Sequence, residues 1–272
     1  MNEHVIETTH GQIAVLDIDG PGLPLVMIHA NSVSKESFGP QFEALTGLRR
    51  MIAVDLPGHG SSSDAVDPLR TYSIPGYAAA VLEALKPRDV GDVIVLGHSL
   101  GGHVGLELIA LGASVRGAFV FGTPPIENSL EGLQAGFKPS PEMTYTGSAE
   151  ISDEQVGMVL NLALGAAAST DDFFRSVVRR TDGLARQYMI DAVVAGLGAD
   201  QRKLAETSSV PLAIVNGAND PVINLDYLDG LSYSSLWGGN PYRIPNAGHA
   251  VNREQAASFN AILMRFLSSI DG

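Results

Sequence analysis

The chain has 272 residues, 45% of them apolar, enough to bury the core of one large α/β domain. It contains no cysteine, which excludes disulfides, thiolate nucleophiles, Cys-ligated zinc and iron–sulfur clusters. With 30 acidic against 17 basic residues the net charge is −13, and basic residues run no further than pairs such as Arg49-Arg50, so neither nucleic acid nor an anionic membrane is an expected partner.

The opening Met1-Asn2-Glu3-His4 carries acid where a secretory leader carries base, and no long apolar core follows it. No run reaches the roughly 18 apolar residues of a membrane helix. A soluble, cytoplasmic protein is the expectation. Two alternating runs, 5–9 and 12–18, flank His10-Gly11 and predict an antiparallel hairpin. After Gly20-Pro21-Gly22 comes Leu25-Val26-Met27-Ile28, a continuous apolar run of the kind found in a strand covered on both faces. Similar runs recur at 51–54, 93–96, 118–121 and 212–215, and helical spacing fills 35–48, 75–85, 100–111 and 252–270. Strand and helix alternate, which predicts an α/β fold with a mostly parallel, doubly wound sheet. One connection breaks the rhythm: about 90 residues separate the strand ending near Gly122 from the one starting at Leu212, against a usual 2–6. It carries helix signals of its own at 156–164, behind the capping box Ser152…Gln155, and at 171–179 and 184–194. Residues 124–209 are therefore expected to form a helical lid on a core built from 1–123 and 210–272.

The strand at 93–96 runs straight into Gly97-His98-Ser99-Leu100-Gly101-Gly102, and a helical pattern begins at once. A Gly-x-Ser-x-Gly at a strand-to-helix turn strains the serine backbone and lifts its hydroxyl above the carboxyl edge of the sheet, at a helix N-terminus that favours developing negative charge. Ser99 is the candidate nucleophile. Serine needs a base, and the base needs an acid to hold its tautomer. The order Ser, acid, His is supplied by Asp220, in the loop after the 212–215 strand, and His249, after a short strand near 242–244. Asp226 and Asp229 are weaker rivals, because they fall in a helical segment at 225–231; no acid follows the preceding strand before Glu127. An oxyanion needs preorganised donors. The Leu100 backbone N–H is one, and Asn31, in the loop after the first parallel strand, is the other, with its side-chain amide as a further donor. His29 and His98 are expected to line or support the site, His59 to be structural in its turn, and His103 lies on the nucleophile helix. No His-Glu-x-x-His, Gly-x-x-x-x-Gly-Lys or strand-linked Gly-x-Gly-x-x-Gly spacing occurs, so neither a metal nor a nucleotide cofactor is expected.

Taken together, His29-Ala30-Asn31, Asp55-Leu56-Pro57-Gly58-His59-Gly60, Gly97-His98-Ser99-Leu100-Gly101-Gly102, Asp220 and Gly248-His249 run in the order of the α/β-hydrolase superfamily, which the chain resembles along nearly its whole length. That resemblance implies an eight-stranded sheet with a helical lid. Ala30 stands where the family usually has glycine. More narrowly, Gly122-Thr123-Pro124-Pro125, Gly136-Phe137-Lys138, Arg180-Thr181-Asp182-Gly183, Val215-Asn216-Gly217 and Asn246-Ala247-Gly248-His249-Ala250 are similar to metal-independent N-acyl-homoserine lactonases of this superfamily. The similarity implies opening of a homoserine lactone ring through an acyl-enzyme, hence quorum quenching, with no cofactor and a small ester or lactone as partner. It also implies a tyrosine on the first lid helix; residues 156–164 contain none, which leaves Tyr145 and Tyr188, with His29, as candidate substrate contacts. A general carboxylesterase acting on small apolar esters is the alternative, and a ligand-binding relative without turnover the more distant one.

Overall fold

The computed structural model describes residues 2–88 and 90–271. Strands β1 (Asn2–Thr8) and β2 (Gly11–Ile18) lead to β3 (Leu25–Ile28), α1 (Gly39–Leu45), β4 (Met51–Val54), α2 (Pro68–Thr71), α3 (Ile74–Leu85), β5 (Val93–His98), α4 (Leu100–Ala110) and β6 (Val115–Phe121). The long connection then holds α5 (Leu130–Gly136), α6 (Pro141–Thr146), α7 (Asp153–Leu164), α8 (Asp172–Arg180), α9 (Gly183–Val194) and α10 (Gln201–Thr207). The chain returns through β7 (Leu212–Gly217), α11 (Leu225–Gly230), β8 (Tyr242–Ile244), α12 (Val251–Glu254) and α13 (Ala256–Asp271). The eight strands form one sheet in the order β1-β2-β4-β3-β5-β6-β7-β8. β1 and β2 are antiparallel, β2 is antiparallel to β4, and every later pair is parallel.

The continuous apolar runs are buried on both faces because strand side chains alternate sides. Val26, Ile28, Ile52, Val54 and Val95 pack with Tyr77 and Val81 of α3 and Val104 of α4. Leu25, Met27, Met51, Ala53, Ile94 and Leu96 turn to the other face, onto Phe259, Leu263 and Phe266 of α13. Each buried Val, Leu, Ile, Met or Phe side chain among them contributes about 1.5–3 kcal/mol by leaving water. In a parallel sheet of this kind the carboxyl ends of β3, β5, β6 and β7 share one edge, where ligands bind.

Several helices differ from their sequence pattern. The 35–48 helix is a short 3₁₀ turn, Lys35–Phe38, followed by α1. Pro40 at the start of α1 lacks the N–H that a continuous α-ladder needs there, and Gly47, with φ +79°, ends the segment early. The 252–270 helix is broken at Gln255 (φ −132°, ψ 50°). On either side of the break, Asn252 and Asn260 reach Gln41: Asn252 Nδ2 donates to Gln41 Oε1 at 3.0 Å, and Gln41 Nε2 donates to Asn260 Oδ1 at 2.8 Å. Helices α2, α5, α6 and α10 carry too little apolar periodicity to be read as such. Their signal lies in the N-caps Asp67, Ser129, Ser140 and Asp200, each accepting a backbone N–H in the first turn, with proline at the start of α2 and α6.

Candidate active site

Ser99 sits between β5 and α4 with φ 50° and ψ −116°, a strained conformation for a non-glycine residue. Its backbone is fixed on both sides: Ser99 N–H donates to the Phe121 carbonyl of β6 at 2.9 Å, and its carbonyl accepts from His103 N–H at 3.1 Å and Thr123 Oγ1 at 3.0 Å. Gly101 is required by close approach, since a Cβ there would strike the Ile28 carbonyl at the end of β3. Leu100 opens α4, so its amide has no intrahelical acceptor and is available to an anion.

His249 and Asp220 meet at the same edge. The imidazole Nδ1 lies 2.9 Å from Asp220 Oδ2, with both side chains buried. Asp220 Oδ1 accepts from the Val222 and Ile223 amides at 2.9 and 3.0 Å. Burial alone would push this carboxyl up; the charge and hydrogen bond of His249, helped by the two amides, outweigh it and hold Asp220 below the ordinary carboxylate value. Asp220 is thus an anion that fixes a proton on His249 Nδ1 and frees Nε2 to act as a base. Behind the ring, His98 Nε2 lies 3.2 Å from the His249 carbonyl, and His98 stacks on Phe121 at 4.4 Å. Burial, reinforced by the neighbouring His249, keeps His98 well below the usual histidine pKa, so it supports the loop as a neutral ring. Gly122, with φ +61°, lies against the other face, where a Cβ would fall 2.6 Å from His249 Cε1. Asp226 and Asp229 stand away from this pair beside Arg243, and Glu127 is exposed.

Ser99, Leu100, Asn31 and His249 all line one cavity, with Ala30 beside them. No hydrogen bond joins Ser99 Oγ to His249 Nε2 among the described residues, a spacing common before a substrate is bound. The Asn31 side chain is tied to its neighbours: Nδ2 donates to the Thr146 carbonyl at the end of α6 at 2.7 Å, and Oδ1 accepts from Ser32 Oγ at 3.1 Å. The donors left to Asn31 are its backbone N–H and the second hydrogen of Nδ2.

Three expected substrate contacts lie elsewhere. His29 is fully buried; its Nε2 accepts from Leu56 N–H at 3.0 Å, which puts the proton on Nδ1, 2.7 Å from the Ala30 carbonyl. Both ring nitrogens brace the loops after β3 and β4. Tyr145 packs on the cluster around Ala30, Val33 and Val156, and Tyr188 on the core beneath α9. Neither lines the cavity: α6 turns Met143 and Thr146 towards it, and α9 turns Met189, Ile190 and Val193. Within residues 124–209, α5 and α6 precede the capped helix α7, two helices that the apolar pattern does not indicate. His59 is buried against Pro57, and burial, with the nearby His29, lowers its pKa to about 3.

The cavity is partly open to solvent and is walled mainly by Ile126, Leu133, Phe137, Val159, Met189 and Val193. That apolar lining suits a ligand with a hydrocarbon arm. His103 also lines it, a residue that sequence reasoning had left as a helix position. His249 also borders a second, more polar groove, with Asn161, Asn219, Asn246 and Glu254. The entry to the insertion is pinned beside the acid: Phe137 pairs with Ile223 as an isolated antiparallel bridge, Lys138 N–H donates to the Val222 carbonyl at 2.7 Å, and Lys138 Nζ donates to the Asp220 carbonyl at 3.1 Å. Among the described residues no cluster of three or more His, Asp or Glu side chains could hold a metal ion, and no helix is long and apolar enough to cross a membrane.

A family model described as "Alpha/beta hydrolase family" matches residues 25–262. Among solved structures, a mutant of the N-acyl homoserine lactonase AidH complexed with N-hexanoyl homoserine lactone is 40% identical, with a TM-score of 0.95 over 99% of this chain and 98% of that one. AidH complexed with N-butanoyl homoserine is also 40% identical, with a TM-score of 0.94 over 99% and 97% of the two chains. Among curated relatives, 3-oxoadipate enol-lactonase 1 of Acinetobacter baylyi is 25% identical over 98% of this chain and 97% of its own. The dihydrolipoyllysine-residue acetyltransferase component of the acetoin cleaving system of Pseudomonas putida is 26% identical over 90% of this chain, which spans 64% of that relative's length.

Proposed function

The chain belongs to the alpha/beta hydrolase family, and on that premise we propose that it is a serine hydrolase that opens the lactone ring of N-acyl homoserine lactones. One observation carries the reading: the strained Ser99 and His249, the latter paired with Asp220, border a single apolar cavity, in a chain 40% identical along 99% of its length to the lactonase AidH. In this reading residues 124–209 are a lid on the core, and its apolar side chains receive the acyl chain. The protein works in the cytoplasm, and the loss of intact lactone signal is quorum quenching.

His249 Nε2 takes the Ser99 proton as Oγ attacks the ring carbonyl, and the negative charge on Asp220 stabilises the imidazolium that forms. The backbone N–H groups of Leu100 and Asn31 receive the oxyanion. His249 then gives its proton to the ring oxygen, which leaves as an alcohol still attached to the acyl-enzyme. Water, deprotonated by His249, attacks the Ser99 ester, and collapse releases the N-acyl homoserine and restores the serine hydroxyl.

The test is ring opening of N-acyl homoserine lactones at near-neutral pH in EDTA, followed by proton release and gain of one water, beside Ser99→Ala and after subtraction of spontaneous hydrolysis. Opening by the wild type alone is the expected result. The apolar cavity by itself equally suits a general carboxylesterase. Ser99-dependent cleavage of a nitrophenyl ester with no lactone opened would replace the lactonase reading by that one, and release of a free fatty acid would mean an acylase.

A further inference from the structure

We propose that His103 recognises the amide N–H of the N-acylated lactone, through an unprotonated Nε2 that Gln201 fixes towards the cavity. The proposal rests on the lactonase reading and deepens it, because it concerns what tells an N-acyl lactone from a lactone without the amide.

The His103 amide donates to the Ser99 carbonyl, so the residue stands one helical turn beyond the nucleophile in α4. Both residues line the cavity. In an N-acyl homoserine lactone the amide nitrogen is carried by the carbon next to the attacked carbonyl, so an acceptor one turn from Ser99 falls within its reach. The ring tautomer follows from Gln201. Its Nε2 donates to the His103 carbonyl at 3.1 Å, which turns its Oε1 to His103 Nδ1 at 2.7 Å. Reversing the amide would set Oε1 against that carbonyl. Nδ1 therefore bears the proton, and Nε2 keeps a lone pair. Gln201 is itself fully buried, and its own N–H donates to the Ile126 carbonyl, so the orienting group is rigid. With Nδ1 held by Gln201, Nε2 is the ring nitrogen left for the cavity that His103 lines, and no hydrogen bond reaches it among the described residues. Burial lowers the His103 pKa to about 4, so the ring is neutral where the enzyme is assayed. An acceptor in an apolar pocket calls for a donor from the ligand. A lactone carrying an ester oxygen in place of the N–H would set lone pair against lone pair.

The experiment compares kcat/KM for N-hexanoyl homoserine lactone with that for the otherwise identical lactone in which an oxygen replaces the amide N–H, as a ratio within each variant. The ratio does not depend on how much protein is folded. Wild type is expected to favour the amide by about 10- to 100-fold. In His103→Leu the ratio should fall to within about threefold of unity, and in His103→Gln, whose Oε1 can stand near the Nε2 position, it should recover. Gln201→Leu frees the tautomer and should lower the ratio several-fold, which marks Gln201 as a positioning residue. A wild-type ratio near unity, or one that His103→Leu leaves unchanged, would overturn the assignment. If wild type opens neither lactone while cleaving a nitrophenyl ester, the parent reading fails and takes this one with it.

Discussion

Replacing Asp220 by asparagine tests the triad without emptying its space. In the structure Asp220 Oδ1 accepts two backbone amides, from Val222 and Ile223, and Oδ2 faces His249 Nδ1. Only the carbonyl oxygen of an asparagine can accept those two amides, so its NH₂ is forced to face the imidazole. Nδ1 must then act as acceptor, the proton moves to Nε2, and the nitrogen that should receive the Ser99 proton already carries one. The same substitution in a serine-protease triad costs about 10⁴-fold in kcat, equivalent to about 5.5 kcal/mol of barrier. We expect a loss of that order for Asp220→Asn at neutral pH, measured by proton release on N-hexanoyl homoserine lactone, with a circular-dichroism melt close to wild type because both loop amides remain paired. Asp220→Ala, by contrast, leaves two buried amides without acceptors and should cost about 1–3 kcal/mol of stability as well. Asp220→Asn retaining more than a tenth of wild-type kcat would refute the assignment of Asp220 as the orienting acid.

Gly122→Ala combines a left-handed backbone with a Cβ 2.6 Å from His249 Cε1, so it should tilt the base; about 10²-fold loss of kcat is expected from a misplacement of ångström size, and a near-normal kcat would show that the ring has room. Asn31→Ala removes a side chain whose Nδ2 donates to the Thr146 carbonyl and keeps the backbone N–H, so kcat should fall by less than about tenfold, whereas loss of a side-chain oxyanion donor would cost about 10²–10³; steady-state kinetics separate the two. Asp17 is buried, which alone would raise its pKa, but Arg50 and Arg88 overcome this and hold it below the usual value. With its folded pKa depressed, the unfolded chain binds more protons in acid, so its stabilisation is present above about pH 4 and is lost as pH falls through the folded value; Asp17→Asn should flatten the Tm-versus-pH curve below about pH 4, and an unchanged acid limb would show that this ion cluster contributes nothing.

The sheet was legible because a strand covered on both faces must be apolar throughout, which makes runs such as Leu25-Val26-Met27-Ile28 hard to mistake. Ser99 was legible for a related reason: the elbow forbids side chains at its neighbours, so glycine spacing records the backbone geometry. His249 and Asp220 followed from chain order and strand ends. Substrate contacts were not legible in the same way. Tyr145 and Tyr188 were chosen by residue type, but which stripe of α6 or α9 meets the cavity depends on how those helices pack, and adjacent residues took the place. His103 was passed over because a histidine on a helix has no pattern of its own; its meaning depends on Gln201, far along the chain. Pro40 at the head of α1 and Gly47 after its end were the local signals that shorten the 35–48 helix.

His249 borders two different spaces: an oily chamber shared with Ser99, and the more polar groove bordered by Asn161, Asn219, Asn246 and Glu254. In the proposed cycle the acyl-enzyme fills the oily side just when water is needed. The groove would give solvent a route to His249 apart from the chamber that holds the acyl chain. On that arrangement a longer chain would fill the chamber without closing the groove to water.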